Sequence, residues 1–108
     1  MNPFTERVVE IIKSIPEGFV MTYGQIAECA GSPRGARQVV RILHSLSEKH
    51  GLPWHRVVNA RGEIAIQEAE GKYMQTLYLE NENVEIGLGG RIDLDVYRFT
   101  PPPDSRKV

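Results

Sequence analysis

The sequence has a single cysteine among 108 residues, Cys29. A lone thiol closes no intrachain disulfide and builds no multi-thiolate zinc site. The three histidines, His44, His50 and His55, have no HxxxH or CxxC companion. A structural metal is therefore not expected, and no cofactor is. No apolar run approaches the roughly 18 residues of a membrane span, so no membrane association is expected. Met1–Arg7 carries Glu6 and no apolar stretch, unlike a signal peptide. Internal repeats and low-complexity blocks are missing as well. What remains is 41% hydrophobic and 25% charged, a balance that excludes a disordered tail, a collagen-like fibre and a coiled-coil rod. The reading is one domain over 1–100 with a Pro-rich tail at 101–108, in a reducing intracellular setting.

The net charge of −1 conceals an uneven distribution. Residues 31–61 hold Arg34, Arg37, Arg41, Lys49, Arg56 and Arg61 against one acid, Glu48, for a local charge of +5. Residues 62–108 carry −4 and residues 1–30 carry −2. A positive segment on a near-neutral chain suits a polyanion bound at one face, and equally a solvated basic surface.

Helix signals punctuate the first half. Asn2-Pro3 reads as an N-cap and first-turn proline, followed by Phe4, Val8, Ile11, Ile12 and Ile15 at helical spacing. Thr22-Tyr23-Gly24-Gln25 has the form of a capping box opening a short helix through Ala30. Gly31-Ser32-Pro33 predicts a tight turn with Ser32 as the next N-cap and a helix over 33–46. On that helix Ala36, Val39, Val40, Leu43 and Leu46 fall on one side. Arg34, Arg37, Gln38, Arg41 and Ser45 fall on the other, with His44 at the edge. Helix, glycine turn and a second helix with a basic outer face form a helix-turn-helix signature, or an ordinary helical hairpin. Further on, a hairpin is expected over 56–64, a helix over about 71–82 burying Met74, Leu77 and Tyr78, and a second hairpin around Gly87–Gly90. The fold class is mostly α with small β-hairpins, a winged-helix-like domain containing a helix-turn-helix.

One segment is more distinctive. Pro53-Trp54-His55-Arg56-Val57, taken with Thr22-Tyr23-Gly24-Gln25-Ile26-Ala27 and Ala36-Arg37-Gln38-Val39, resembles the DNA-binding domain of O6-alkylguanine-DNA alkyltransferases. The resemblance runs from about Phe4 to Thr100. Those enzymes carry a cysteine between the proline and the histidine, and here the residue is Trp54. The chain thus resembles the alkyltransferase-like branch, which recognises alkylated DNA without repairing it. Chemistry agrees, because alkyl transfer needs an activated thiolate and an indole is not one. Cys29 lies in the short first helix of the motif, away from the Pro53–Val57 segment in sequence, and is expected to be a small buried hydrophobe. The asparagine that the enzymes carry before the reactive segment is replaced by Leu46, and their Gly/Ser-rich loop by Ile66-Gln67-Glu68-Ala69-Glu70.

The resemblance implies roles for named residues. The helix-turn-helix docks in the minor groove, where readout is degenerate. Arg37 enters the base stack in place of an extruded nucleotide, and Tyr23 presses on its phosphate. Arg34, Gln38 and Arg41 complete the DNA-binding set. Trp54, His55 and Tyr23 line the lesion pocket, with Trp54 as an apolar wall. Arg56 and Glu82 are structural supports, Glu82 paired with His55, and no residue is catalytic. The implied partners are double-stranded DNA containing O6-alkylguanine and nucleotide-excision-repair damage-recognition proteins. The chain is expected to act as a monomer, in the cytoplasm at the nucleoid of a bacterium or in the nucleus of a eukaryote. Three rival readings stand beside it: a sequence-specific transcription regulator, an active methyltransferase using Cys29, and a helical protein-interaction module without DNA affinity.

Overall fold

The computed structural model describes residues 1–102, so the expected tail lies outside the described residues from 103 onward. Helix α1 spans Pro3–Ser14 and starts as the sequence predicts. Asn2 Oδ1 accepts the Thr5 N–H at 2.8 Å, and Pro3 fills a position whose N–H would have no helical partner. Glu6 near its start and Lys13 near its end complement the helix dipole. Strand β1, Met21–Thr22, leads directly into helix α2, Tyr23–Cys29. The capping box forms: Thr22 Oγ1 accepts the Gln25 N–H at 3.0 Å, and Gln25 Oε1 accepts the Thr22 N–H at 3.4 Å.

The basic helix, α3, spans Ala36–His50 rather than 33–46. Ser32 does not cap it. Its carbonyl instead accepts the Gly35 N–H at 2.8 Å, so residues 32–35 form a turn and Gly35 is the N-cap. Close approach demands glycine there, since a Cβ would sit 3.0 Å from Phe4 Cζ and 3.1 Å from the Ser32 carbonyl. Arg34 consequently lies in the turn and not on the helix. The far end is extended because Gly51, at φ 60°, supplies the left-handed cap that closes a helix.

A 3₁₀ turn, Trp54–Arg56, delivers the chain into strand β2, Val57–Val58. The expected turn at 60–62 is present: the Asn59 N–H donates to the Glu63 carbonyl at 3.0 Å, and Asn59 Oδ1 accepts from Arg61 and Glu63. Its arms do not continue as a hairpin. β2 pairs in parallel with β1, Met21 opposite Val57 and Thr22 opposite Val58, while Glu63 bridges to Arg91. The reason is burial on both faces. Val57 belongs to one core and Val58 to the other, which suits an inner parallel strand better than an exposed hairpin arm. The second expected hairpin is likewise a 3₁₀ turn, Leu88–Gly90, closed by the Gly87 N–H on the Arg91 carbonyl at 2.8 Å. Asp93 then caps a short helix, α5, Leu94–Tyr97, so the second arm turns helical. The fold class stands as mostly α with a helix-turn-helix and a minimal sheet.

Two cores flank the β1–β2 pair. Val8, Ile12, Ile26, Ala27, Val39 and Val57 lie in the first, between α1, α2 and α3. Val20, Val58, Ile64, Val84 and Ile92 form the second with Leu79 of helix α4, Ala69–Asn81. Each fully buried Val, Ile or Leu stabilises the fold by about 1.5–3 kcal/mol. On α4 the sequence predicts Met74, Leu77 and Tyr78 as the buried face, yet Gln75 and Leu79 are buried, Met74 and Leu77 are half-buried and Tyr78 is exposed. The amide of Gln75 explains its place, donating to the carbonyls of His55 and Val57 at 3.1 and 3.0 Å.

Candidate nucleic-acid interface and lesion cleft

The helix-turn-helix is α2, the glycine turn and α3. α2 is anchored beneath by Arg7, whose Nε–H donates to the Ala30 carbonyl at 2.7 Å. Gly31, at φ 95°, reverses the chain, and the Ser32 N–H donates to the Ala27 carbonyl at 2.9 Å. With Val39 and Leu43 turned into the core, Arg37, Gln38 and Arg41 are left exposed on α3, and Arg34 is exposed in the turn before it. Among the described residues none of these four side chains has a hydrogen-bond or ion-pair partner, so their donors are available to a ligand. Val40, predicted for the packed face, is 45% exposed. It borders a cleft instead.

That cleft has a volume of about 1100 Å³ and lies between α3, the Trp54–Arg56 turn and the start of α4. Tyr23, Trp54 and His55 all line it, together with Tyr78. Trp54 makes edge-on contacts with His55 and Tyr78, at ring-centre distances of 6.2 and 5.9 Å, and His55 meets Tyr78 at 5.3 Å. Such pairs add to area burial and hold the rings as a preformed aromatic wall. Burial pushes the Tyr23 phenol up from its ordinary pKa, so it stays a neutral hydroxyl that can donate to an anion. Ile66, Gln67 and Glu68 close the cleft on the α4 side, where Ile66 packs across Gly71.

Behind the wall sits a charged clasp. His55 Nε2–H donates to Glu82 Oε2 at 2.7 Å, and Arg56 grips the same carboxylate through Nε at 3.0 Å and Nη2 at 2.7 Å. The Gly18 N–H donates to Glu82 Oε1 at 2.9 Å, and Arg56 Nη1 donates to the Ile15 carbonyl at 2.9 Å. Burial alone would raise the Glu82 pKa. The Arg56 guanidinium, the Gly18 N–H and His55 outweigh it and hold the carboxyl at about 2. A carboxylate so occupied is fixed in its charged form and cannot serve as a base near neutral pH. It ties α4 to the end of α1 and to the reactive-position turn.

Cys29 departs from expectation. It is exposed at the end of α2, because Ile26, Ala27 and Ala30 take the inward positions, and it does not line the cleft. What cover it has and the adjacent Glu28 both push its pKa up, the opposite of an activated thiol. Leu46 packs against the first core within α3 rather than in a loop.

Residues 3–84 match the family model of the 6-O-methylguanine DNA methyltransferase DNA-binding domain. The chain is similar to a DNA base-flipping protein of Escherichia coli, 46% identical over 91% of this chain and 75% of that one. It is similar to alkyltransferase-like protein 1 of Schizosaccharomyces pombe, 39% identical over 94% of this chain and 98% of that one. Its fold superposes on S. pombe Atl1 in complex with damaged DNA containing O6-carboxymethylguanine, with a TM-score of 0.83 over the same shares. Against the O6-methylguanine methyltransferase of Mycobacterium tuberculosis the identity is 28% and the TM-score 0.61, over 76% of this chain and 49% of that one. The chain belongs to the alkyltransferase-like family.

In this alkyltransferase-like chain the structure brings Tyr23, Trp54 and His55 together in one cleft, with Glu82 and Arg56 directly behind His55. It keeps Arg34, Arg37, Gln38 and Arg41 apart from that cleft, on the outer surface of the motif. Sequence reasoning missed Gln75, and it turned Val40 and Tyr78 into the core where the structure puts them on the cleft. A signal for two of them exists: Gln75, Tyr78 and Glu82 follow an i, i+3, i+7 spacing, one helical face turned toward the 54–57 segment.

Proposed function

We propose that this chain binds duplex DNA and holds an extruded O6-alkylguanine in the cleft beside Trp54, without transferring the alkyl group. The observation that carries the reading is the aromatic cleft itself. It has an indole at the position of the family's nucleophile, and it opens beside a basic helix whose arginines have no partner among the described residues. Arg34 and Arg41 then neutralise phosphates, giving affinity without sequence preference. Gln38 reaches the backbone or a base edge. Arg37, flat and cationic, fills the gap in the stack. Tyr23, at the start of α2 and on the cleft wall, turns the target phosphate so that the nucleotide swings out. Trp54 and Tyr78 offer apolar surface to the alkyl group and an aromatic face to the base. His55, Arg56 and Glu82 position that wall and take no part in chemistry. The relatives support this reading through what they are named for, base flipping in the E. coli protein and a damaged-DNA complex for S. pombe Atl1.

The chain acts as a monomer at its DNA, and the flipped complex serves as a mark for nucleotide-excision-repair damage-recognition proteins. It works where that DNA lies, at the nucleoid or in a nucleus. Incubation with a duplex containing O6-methylguanine tests the central step. The expected result is a stoichiometric complex in which protein mass and lesion are both unchanged. A gain of one methyl on Cys29 would instead establish a methyltransferase.

A further inference from the structure

The charge of the cleft is opposite to that of the surface around it. The arginines of the basic segment lie elsewhere: Arg34, Arg37 and Arg41 are exposed on the motif's outer side, Arg56 turns back to Glu82 and the Ile15 carbonyl, and Arg61 borders a separate hollow beside Arg91. Among the described residues no lysine or arginine lines the cleft. Its two unpaired fixed charges are the carboxylates of Glu48, on α3, and Glu68, at the start of α4. Neither side chain has an ion-pair partner among the described residues. The N-terminal end of α4 carries a partial positive charge, as any helix start does. It is already opposed by Glu68, its N-cap residue, and by Glu70 in its first turn. Glu68 Oε1 lies 3.8 Å from where a Cβ of Gly71 would be, at the rim that Ile66 and Gln67 complete.

We infer that this chain selects among O6-alkylguanines by the charge of the alkyl group, favouring neutral and cationic substituents and disfavouring anionic ones, through Glu48 and Glu68. The inference rests on the proposed placement of the flipped base in the cleft. A carboxylate on the alkyl group would enter a cleft lined by two like charges, both on exposed residues, with no lysine or arginine lining it among the described residues. Two such repulsions at about 6–7 Å in a water-like dielectric change affinity by about tenfold. Salt weakens the effect without removing it, because the charges lie within a Debye length of about 10 Å at 0.1 M.

Affinities for matched duplexes carrying guanine, O6-methylguanine, O6-carboxymethylguanine or O6-(2-aminoethyl)guanine at one position test this at fixed salt. The wild-type chain is expected to bind the methyl lesion about tenfold more tightly than the carboxymethyl lesion, and the aminoethyl lesion at least as tightly as the methyl one. In Glu48→Gln/Glu68→Gln the methyl-to-carboxymethyl ratio should fall to within about twofold and the aminoethyl advantage should shrink, with only a small fall in melting temperature as Glu68 ceases to oppose the start of α4. The aminoethyl arm separates charge from size, since both larger substituents have a similar number of atoms. Ratios unaltered in the double variant, or a wild-type preference for the carboxymethyl lesion, would overturn the inference and leave lesion recognition standing. Equal affinity for all four duplexes would defeat both.

Discussion

At the scale of single residues, the proposed function gives Arg37 and Trp54 different tasks in binding. Arg37 is exposed and has no partner among the described residues, so the fold does not depend on it. Arg37→Ala is expected to keep the melting temperature and to weaken binding to damaged DNA by about 1–3 kcal/mol. A fluorescent base analogue at the lesion should report reduced extrusion at the same time. Unchanged fluorescence and affinity would remove Arg37 from the base stack. Trp54 differs because it packs on the first core as well as on Tyr78 and His55. Trp54→Ala should therefore lower stability by less than the 3–5 kcal/mol typical of a fully buried tryptophan. Loss of a base–aromatic stack, worth about 1–3 kcal/mol, should also narrow the preference for damaged over undamaged DNA by up to about a hundredfold. Melting curves measured beside both affinities separate the two effects. A folded variant with the wild-type ratio would place the lesion elsewhere.

At the scale of elements, the Glu82 clasp joins three parts of the chain, and its energetics depend on pH. The carboxyl is held at about 2 in the folded chain, against 4.5 as an ordinary value. The unfolded chain therefore binds the proton first as pH falls. The stabilisation is fully present above pH 4.5 and is lost between there and about pH 2. It amounts to about 2–3 kcal/mol. Denaturant melts at pH 7, 4 and 3 should show that fall for the wild type and a shallower one for Glu82→Gln, which starts less stable at pH 7. Parallel curves for the two chains would show that Glu82 is not the titrating clasp.

The same clasp shows what a sequence discloses at this scale. Caps and turns were legible because their chemistry is local. Asn2, Thr22 and Gln25 act within three residues of themselves. The pairing of His55 with Glu82 was legible only through family resemblance, since it spans 27 residues. Ser32 misled as an N-cap because residues 32–35 close a turn of their own, the Gly35 N–H on the Ser32 carbonyl, and α3 begins only after it. Val57-Val58 misled as a hairpin arm because alternation cannot tell an arm with one solvated face from an inner strand between two cores. Gln75 was invisible for a related reason: a polar residue is buried only where distant carbonyls need its amide. Cys29 was misjudged by general preference, while its neighbours Ile26, Ala27 and Ala30 claimed the inward face.

At the scale of the whole molecule, a basic outer face of the helix-turn-helix lies beside an aromatic cleft lined by Glu48 and Glu68. In the proposed function the basic face binds DNA without reading its sequence, and the cleft receives only a base that has left the stack. Binding to undamaged duplex should thus fall steeply with salt as released counterions are regained. The damaged-to-undamaged ratio should change little, because the pocket term involves few ions. The most direct measurement is the affinity for two duplexes identical but for guanine or O6-methylguanine at one position, taken at several salt concentrations. The account predicts tighter binding to the lesion at every concentration, with parallel salt slopes. Equal affinities for the two duplexes would contradict it.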